Sequence, residues 1–248
     1  MRKNILITGA SSGLGRGMAR QLAARGRNLA LCARRADKLD EVREELTRAY
    51  PGIQVTVRQL DVRDYEATAA AFRSVRREFG SLDRIVVNAG LGSGASVGTG
   101  RFEVNRATAE TNFLAGLAQC EAAMEIFRDQ GSGHLVVVSS VSAARGMPRH
   151  LTAYAASKAG LATLADGIRA DVLGTPLKVT ALFPGYIRTE MNENLEKTPF
   201  IMDTDKGCAL LVRAMEREPA KAYVPAWPWA PAGAVMRHLP LALVAKSV

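Results

Sequence analysis

Tyr154 and Lys158 stand four residues apart in a stretch that reads as helix, so both side chains project from one face. A phenol with a pKa near ~10 exchanges protons poorly at neutral pH, and an ammonium beside it favours the phenolate. Such a tyrosine is a general acid for reducing a carbonyl and a general base for the reverse oxidation. The same spacing also suits an ordinary helix surface, so the pair needs company. Ser140 supplies some: it ends the apolar run Leu135–Val138, and its hydroxyl can hydrogen-bond an oxygen on which negative charge develops. Ser139 and Ser142 are rivals for that role, and a strand-end serine can equally tie down a turn. Asn112 lies inside a long helical stretch, an unfavourable place for asparagine unless its side chain has other work.

A second group of residues suits phosphate. Thr8-Gly9-Ala10-Ser11-Ser12-Gly13-Leu14-Gly15 follows an apolar run and opens an amphipathic one. Glycines let the backbone approach a pyrophosphate, and the helix start turns its unpaired N–H groups toward the anion. A glycine turn without a ligand has the same composition, and the strand-before, helix-after context is what favours the dinucleotide reading. One strand later the chain reads Cys32-Ala33-Arg34-Arg35, where an acid for a ribose 2′-hydroxyl is common. Two cations at a helix start oppose the dipole and want an anion nearby, which favours a 2′-phosphate and hence NADP(H) over NAD(H), with Ser11 and Ser12 as extra donors.

The elements that must position these residues alternate. Lys3 to Thr8, Asn28 to Ala33, a third run through Ile53, Val55 and Val57, Arg84 to Asn88, Gly133 to Ser139, Leu177 to Phe183 and Ala222 to Val224 read as strands. Between them, helical spacing covers Gly13 to Gly26, Asp37 to Tyr50, Tyr65 to Phe79, Glu103 to Arg128, Ala153 to Leu173 and Lys206 to Arg217. Seven strands separated by helices imply an α/β fold with a parallel sheet covered on both faces, and ligands bind such sheets beyond the carboxyl ends of the strands.

Composition narrows the function classes. The 248 residues, 48% hydrophobic, suit one globular domain without repeats. The net charge of +9 is spread along helical faces among acids, which argues against nucleic acid as a partner. Cys32, Cys120 and Cys208 are scattered, and with His134, His150 and His238 they form no ligand cluster, so neither disulfides nor a metal is expected and a reducing cytoplasm fits. No signal-peptide core follows the basic start, and prolines 225, 228, 231 and 240 interrupt the most apolar tract, from Ala222 to Val248.

From Lys3 to about Thr189 the sequence resembles the short-chain dehydrogenases/reductases, in the branch of about 250 residues. The resemblance rests on Thr8-Gly9-x-x-x-Gly13-x-Gly15, on Asp61-Val62 as an adenine contact, and on Asn88-Ala89-Gly90, which would steady the sheet and border the cofactor. Asn112, Ser140 and Tyr154-Ala-Ala-Ser-Lys158 match a catalytic tetrad; Pro184-Gly185-Tyr186-Ile187-Arg188-Thr189 matches a segment that carries the nicotinamide. It implies a Rossmann-type doubly wound sheet, Ser140 as the catalytic serine, Lys158 holding the nicotinamide ribose while lowering the pKa of Tyr154, and Asn112 supporting a proton-relay water. Val87 and Ala143 depart from commoner residues, and the stretch from Ser140 to Tyr154 is slightly long.

The expected activity is hydride transfer between NADP(H) and a hydrophobic carbonyl/alcohol pair, with NAD-linked alcohol oxidation or a non-catalytic cofactor-binding regulator as alternatives. Such regulators often lose the tyrosine or lysine, and both are present. Residues 190–205, with Met191, Leu195, Pro199, Phe200, Ile201 and Met202, read equally as a substrate lid or a plain loop. The tail of residues 226–248, with Trp227 and Trp229, suits a subunit interface first, then the pocket, then a membrane surface. The resemblance further implies a homodimer or homotetramer.

Overall fold

In the computed structural model, residues 2–190 and 200–246 are described. Seven strands, β1 (Asn4–Thr8), β2 (Asn28–Ala33), β3 (Val55–Gln59), β4 (Arg84–Val87), β5 (Gly133–Val138), β6 (Leu177–Pro184) and β7 (Lys221–Val224), form one sheet in the order β3-β2-β1-β4-β5-β6-β7. Every neighbouring pair is parallel. Strand order reverses between β1 and β4, which opens a crevice at their carboxyl ends.

Alternation along the strands sends side chains to two cores. Ile5 and Ile7 pack with the helices α1 (Gly13–Ala23) and α2 (Ala36–Ala49) through Met18, Leu22, Leu39 and Val42. Leu6, one residue out of phase, packs on the opposite face with α3 (Tyr65–Phe79), through Phe72 and Val75. Helix α7 (Thr204–Glu216) adds Leu211 and Met215 to the first face, and α6 (Thr152–Asp171) adds Leu161 and Ala165 to the second. All three cysteines are free and buried, and burial pushes their thiols up to about 12.

Three regions differ from the sequence reading. The helix expected over 103–128 is α4 (Phe102–Ala109), a π turn at Glu110–Leu114 that contains Asn112, and α5 (Ala115–Gln130). A π turn widens the helix by one residue, an insertion that periodicity over a long window averages away. The third strand begins at Val55, beyond the apolar Ile53. The proline-rich tail forms α8 (Ala226–His238), kinked at Trp227, and α9 (Leu241–Lys246); proline is tolerated near a helix start because the first N–H groups need no partner there. Among the described residues no helix is long and apolar enough to cross a membrane.

Candidate active site

The crevice at the strand ends is a cleft of about 290 Å³. One end is the turn between β1 and α1. Gly9 has φ +66°, and a Cβ there would lie 2.9 Å from Ala89 Cα; a Cβ on Gly15 would lie 2.2 Å from the Gly9 carbonyl. Gly9, Ser11, Ser12, Gly13 and Leu14 line the cleft, whereas Gly15 stands behind the turn and makes its tight approach possible. Ser12 precedes α1 without capping it, and no acidic residue sits in the first turn. The positive end of that helix therefore has no side chain compensating it. The Ser12 hydroxyl instead accepts from Arg35 Nη2 at 2.6 Å, and Arg35 also donates to Ser11 Oγ at 3.1 Å.

Arg34 and Arg35 both line the cleft at the end of β2. Arg35 lies 3.6 Å from Glu190, whereas Arg34 has no ion-pair partner among the described residues. Asp61 and Val62 line the same end, with the Asp61 carboxylate taken up by the Arg63 guanidinium, which draws its pKa down. Asn88, Ala89 and Gly90 form the opposite wall. Asn88 Nδ2 donates to the Thr8 carbonyl at 2.9 Å, while Thr8 Oγ1 accepts from the backbone of Asn88 and Ala89 at 3.1 Å. This cross-bracing holds the ends of β1 and β4 at the reversal point. Thr8 opens the glycine motif in the sequence without a task of its own there; this bracing is its part in the structure.

Ser140, Tyr154 and Lys158 line the cleft near its centre. The hydroxyls of Tyr154 and Ser140 are hydrogen-bonded to each other, and Ser140 Oγ also accepts from the Ser142 backbone at 3.1 Å. Ser139 Oγ instead donates to the Lys158 carbonyl at 2.8 Å, which ties β5 to α6 and separates the two serines by task. Lys158, with 5% of its surface exposed, donates from Nζ to the Val138 carbonyl at 2.9 Å. A Cβ on Gly90 would come within 3.1 Å of Nζ, so the lysine reaches its position because residue 90 has no side chain.

The expected electrostatics of this pair need correction. Burial raises the Tyr154 phenol, outweighing the Ser140 hydrogen bond that lowers it, and Tyr186 raises it further. Burial also brings Lys158 down to about 8. Desolvation disfavours the charged form of both groups, and the sequence does not show how deep the pair lies.

Asn112 is buried and does not line the cleft. Its Oδ1 accepts from the Leu91 N–H, and its Nδ2 donates to the Leu91 carbonyl and to Ser157 Oγ. Both amide hydrogens are thus committed to the protein, and a water could reach this side chain only through the second lone pair of Oδ1. Pro184, Gly185, Ile187 and Thr189 line the far wall of the cleft. Of the expected lid, Met191, Leu195 and Pro199 lie outside the described residues; Met202 pairs through its backbone with Tyr186 and Arg188. Tyr186, in the segment expected to carry the nicotinamide, and Trp229, in the tail expected at an interface, the pocket or a membrane, meet edge to face beside this wall. Among the described residues no group of three or more His, Cys, Asp or Glu could hold a metal ion.

Comparison with known proteins agrees with this arrangement. The chain is 50% identical over 239 residues to an uncharacterized oxidoreductase of Mycobacterium tuberculosis, covering 96% of this chain and 94% of that protein. Among solved structures, an alcohol dehydrogenase from the archaeon Thermococcus sibiricus, complexed with 5-hydroxy-NADP, superposes with a TM-score of 0.79 at 28% identity, over 90% of this chain and 95% of that one. An NADPH-dependent 3-quinuclidinone reductase from Rhodotorula rubra gives 0.81 at 25% identity, over 90% and 89%. Residues 3–199 match the family described as short chain dehydrogenase. With that match spanning the phosphate turn, the Tyr154–Lys158 helix and the far wall of the cleft, the chain belongs to the short-chain dehydrogenase family of oxidoreductases.

Proposed function

We propose that this chain is an NADP(H)-dependent oxidoreductase that interconverts a hydrophobic ketone or aldehyde and its alcohol. The observation that carries the reading is the sharing of one cleft by a helix start without a capping or acidic side chain, an Arg34 with no ion-pair partner among the described residues, and the Tyr154–Ser140 hydrogen bond. A bound nicotinamide dinucleotide would supply or accept the hydride. The glycine turn fits such a group, because Gly9 and Gly13 line the cleft without side chains and α1 starts there with neither a side-chain cap nor an acid in its first turn.

The chain's own residues then divide the remaining work. Ser140 donates a hydrogen bond to the substrate oxygen as charge builds on it. Tyr154, held protonated by burial, delivers the proton that completes the alcohol; in oxidation it takes that proton back. Lys158, when cationic, would hold the ribose hydroxyls of the bound dinucleotide. Arg34, with Arg35 backed by Ser11 and Ser12, would hold a 2′-phosphate. The two solved neighbours, named for NADP and NADPH, support the same preference.

The test is oxidation of NADPH and NADH with a panel of aldehydes, ketones, quinones and 3-oxoacyl compounds, with Tyr154→Phe beside the parent. Turnover with NADPH that falls at least ~100-fold in the variant is expected. Cofactor binding without turnover in either direction would favour a non-catalytic regulator.

A further inference from the structure

Among the described residues two acids line the cleft, Asp61 and Glu190, and they have different partners. Asp61 is taken up by Arg63, its near neighbour in the chain. Glu190, on the segment that follows β6, faces the opposite wall: its Oε2 lies 3.6 Å from Arg35 Nη1. The rest of that guanidinium is held on the phosphate turn. Arg35 Nη2 donates to Ser12 Oγ at 2.6 Å and to Ser11 Oγ at 3.1 Å, and Nε donates to Ser11 Oγ at 3.3 Å. The residue before Glu190 makes the same crossing, since a Cβ on Gly13 would lie 3.5 Å from the Thr189 side chain. The segment carrying Glu190 thus stands directly against the turn that begins α1.

A carboxylate at that point is a rival to any anionic ligand. Arg35 is one of the two cations offered to a 2′-phosphate, and it already has a negative group beside it. The pair is weak: the two side chains are 49% and 60% exposed, and 3.6 Å is an ion contact without a hydrogen bond. A phosphate monoester carries nearly two negative charges at pH 7 and three acceptor oxygens, so it displaces the carboxylate. A 2′-hydroxyl is uncharged and leaves the pair intact. The displaced carboxylate stays near the phosphate, where like charges repel.

We infer that Glu190 competes with the coenzyme 2′-phosphate for Arg35 and thereby narrows the selectivity of this chain for NADP(H) over NAD(H). The inference deepens the NADP(H) reading above and rests on it. It also separates the two adjacent arginines. Arg34, which lines the same cleft with no ion-pair partner among the described residues, offers its charge outright, whereas Arg35 offers its charge by exchanging one anion for another.

Glu190→Gln removes the charge and keeps the shape, at an exposed position where the fold does not depend on it. Calorimetric titration of the full chain with NADP⁺ and NAD⁺ compares two ligands that differ only in the 2′-phosphate. The variant should bind NADP⁺ about fivefold more tightly than the parent does, and NAD⁺ within about twofold of the parent. In an Arg35→Gln background the same substitution should leave NADP⁺ affinity within about twofold, because the contested guanidinium is gone. An unchanged or weakened NADP⁺ affinity, or an equal gain for NAD⁺, would overturn the inference. So would a full gain that persists without Arg35, which is plain repulsion between carboxylate and phosphate. A parent that prefers NAD⁺ would count against the NADP(H) reading instead, while the change produced by Glu190→Gln still decides the role of Glu190.

Discussion

Asn112 and Leu91 exchange two hydrogen bonds: Asn112 Oδ1 accepts from the Leu91 N–H at 2.7 Å, and Asn112 Nδ2 donates to the Leu91 carbonyl at 2.9 Å. One turn pair earlier, Asn105 makes the same reciprocal contact with Ala95, and between them Thr108 donates to the Ser93 carbonyl. One face of the α4 and π-turn segment thus pins the loop after Gly90, and the same Asn112 amide reaches Ser157 on the Tyr154 helix. Asn112 is therefore a positioning residue. Asn112→Ala should cost about 1–3 kcal/mol of stability through the unpaired Leu91 groups. It should also lower kcat more than it weakens NADPH binding, as checked by thermal melts, kinetics and cofactor titration.

Arg34 reaches the cleft without an ion-pair partner among the described residues, so its charge is available to a ligand. Arg34→Asp should reverse the coenzyme preference, cutting kcat/KM for NADPH about 10- to 100-fold and leaving NADH equal or better. Steady-state kinetics with both coenzymes would check this, and an unchanged ratio would remove Arg34 from the 2′-phosphate site.

Lys158 titrates near 8 in the free protein because burial disfavours its ammonium. Tyr154 is shifted upward and keeps its proton through that range, so the first group to change on raising the pH is the lysine. The pH profile of kcat/KM for carbonyl reduction should fall above about 8. Stability moves the other way: the unfolded chain holds the Lys158 proton up to 10.5 while the folded one releases it from about 8, so this group's destabilising effect fades between those values.

Gly185 and Trp229 compete for one volume. Gly185→Ala alone should destabilise by about 1–3 kcal/mol, from overpacking against the indole. Combined with Trp229→Ala, the added methyl finds space, and a double-mutant cycle should show the two changes less harmful together than their sum.

At the opposite end of the strands, Arg84 is 1% exposed and donates from Nε to His134 Nδ1 at 2.8 Å. The His134 proton therefore sits on Nε2, facing Thr180 Oγ1 at 2.9 Å, and Thr180 in turn donates to the Pro219 carbonyl. Burial first, and then Arg84, hold His134 well below 6.5. Below pH 6.5 the unfolded chain takes a proton there that the folded one refuses, so stability falls as the pH drops. Glu216 and Glu218 add to this at lower pH: burial would raise them, but Arg84, Arg27 and Arg2 together hold them below 4.5. The melting temperature should decline steadily from pH 7 to 4. Arg84→Ala should cost about 2–4 kcal/mol, by leaving His134 Nδ1 without its donor and a void where the guanidinium packed while Glu216 and Glu218 keep Arg27 and Arg2, a drop of roughly 5–10 °C.

Much of this protein was legible in its sequence because local chemistry and tertiary demand coincide there. Short apolar runs, helical stripes and the glycine turn located seven strands and the cleft at their ends, and the tetrad spacing put Tyr154 and Lys158 on one helix face. The registers that bring Ser140 beside Tyr154 followed from strand ends in a parallel sheet. Tertiary structure alone decided what depends on depth and on contacts distant in sequence. Burial reversed the expected lowering of Tyr154, because desolvation depends on everything packed around a group and not on its neighbours in the chain. The π turn at Asn112, the split tasks of Ser139 and Ser140, and the delivery of Trp229 onto Gly185 from 44 residues further along the chain are likewise set by which surfaces meet once the sheet has closed.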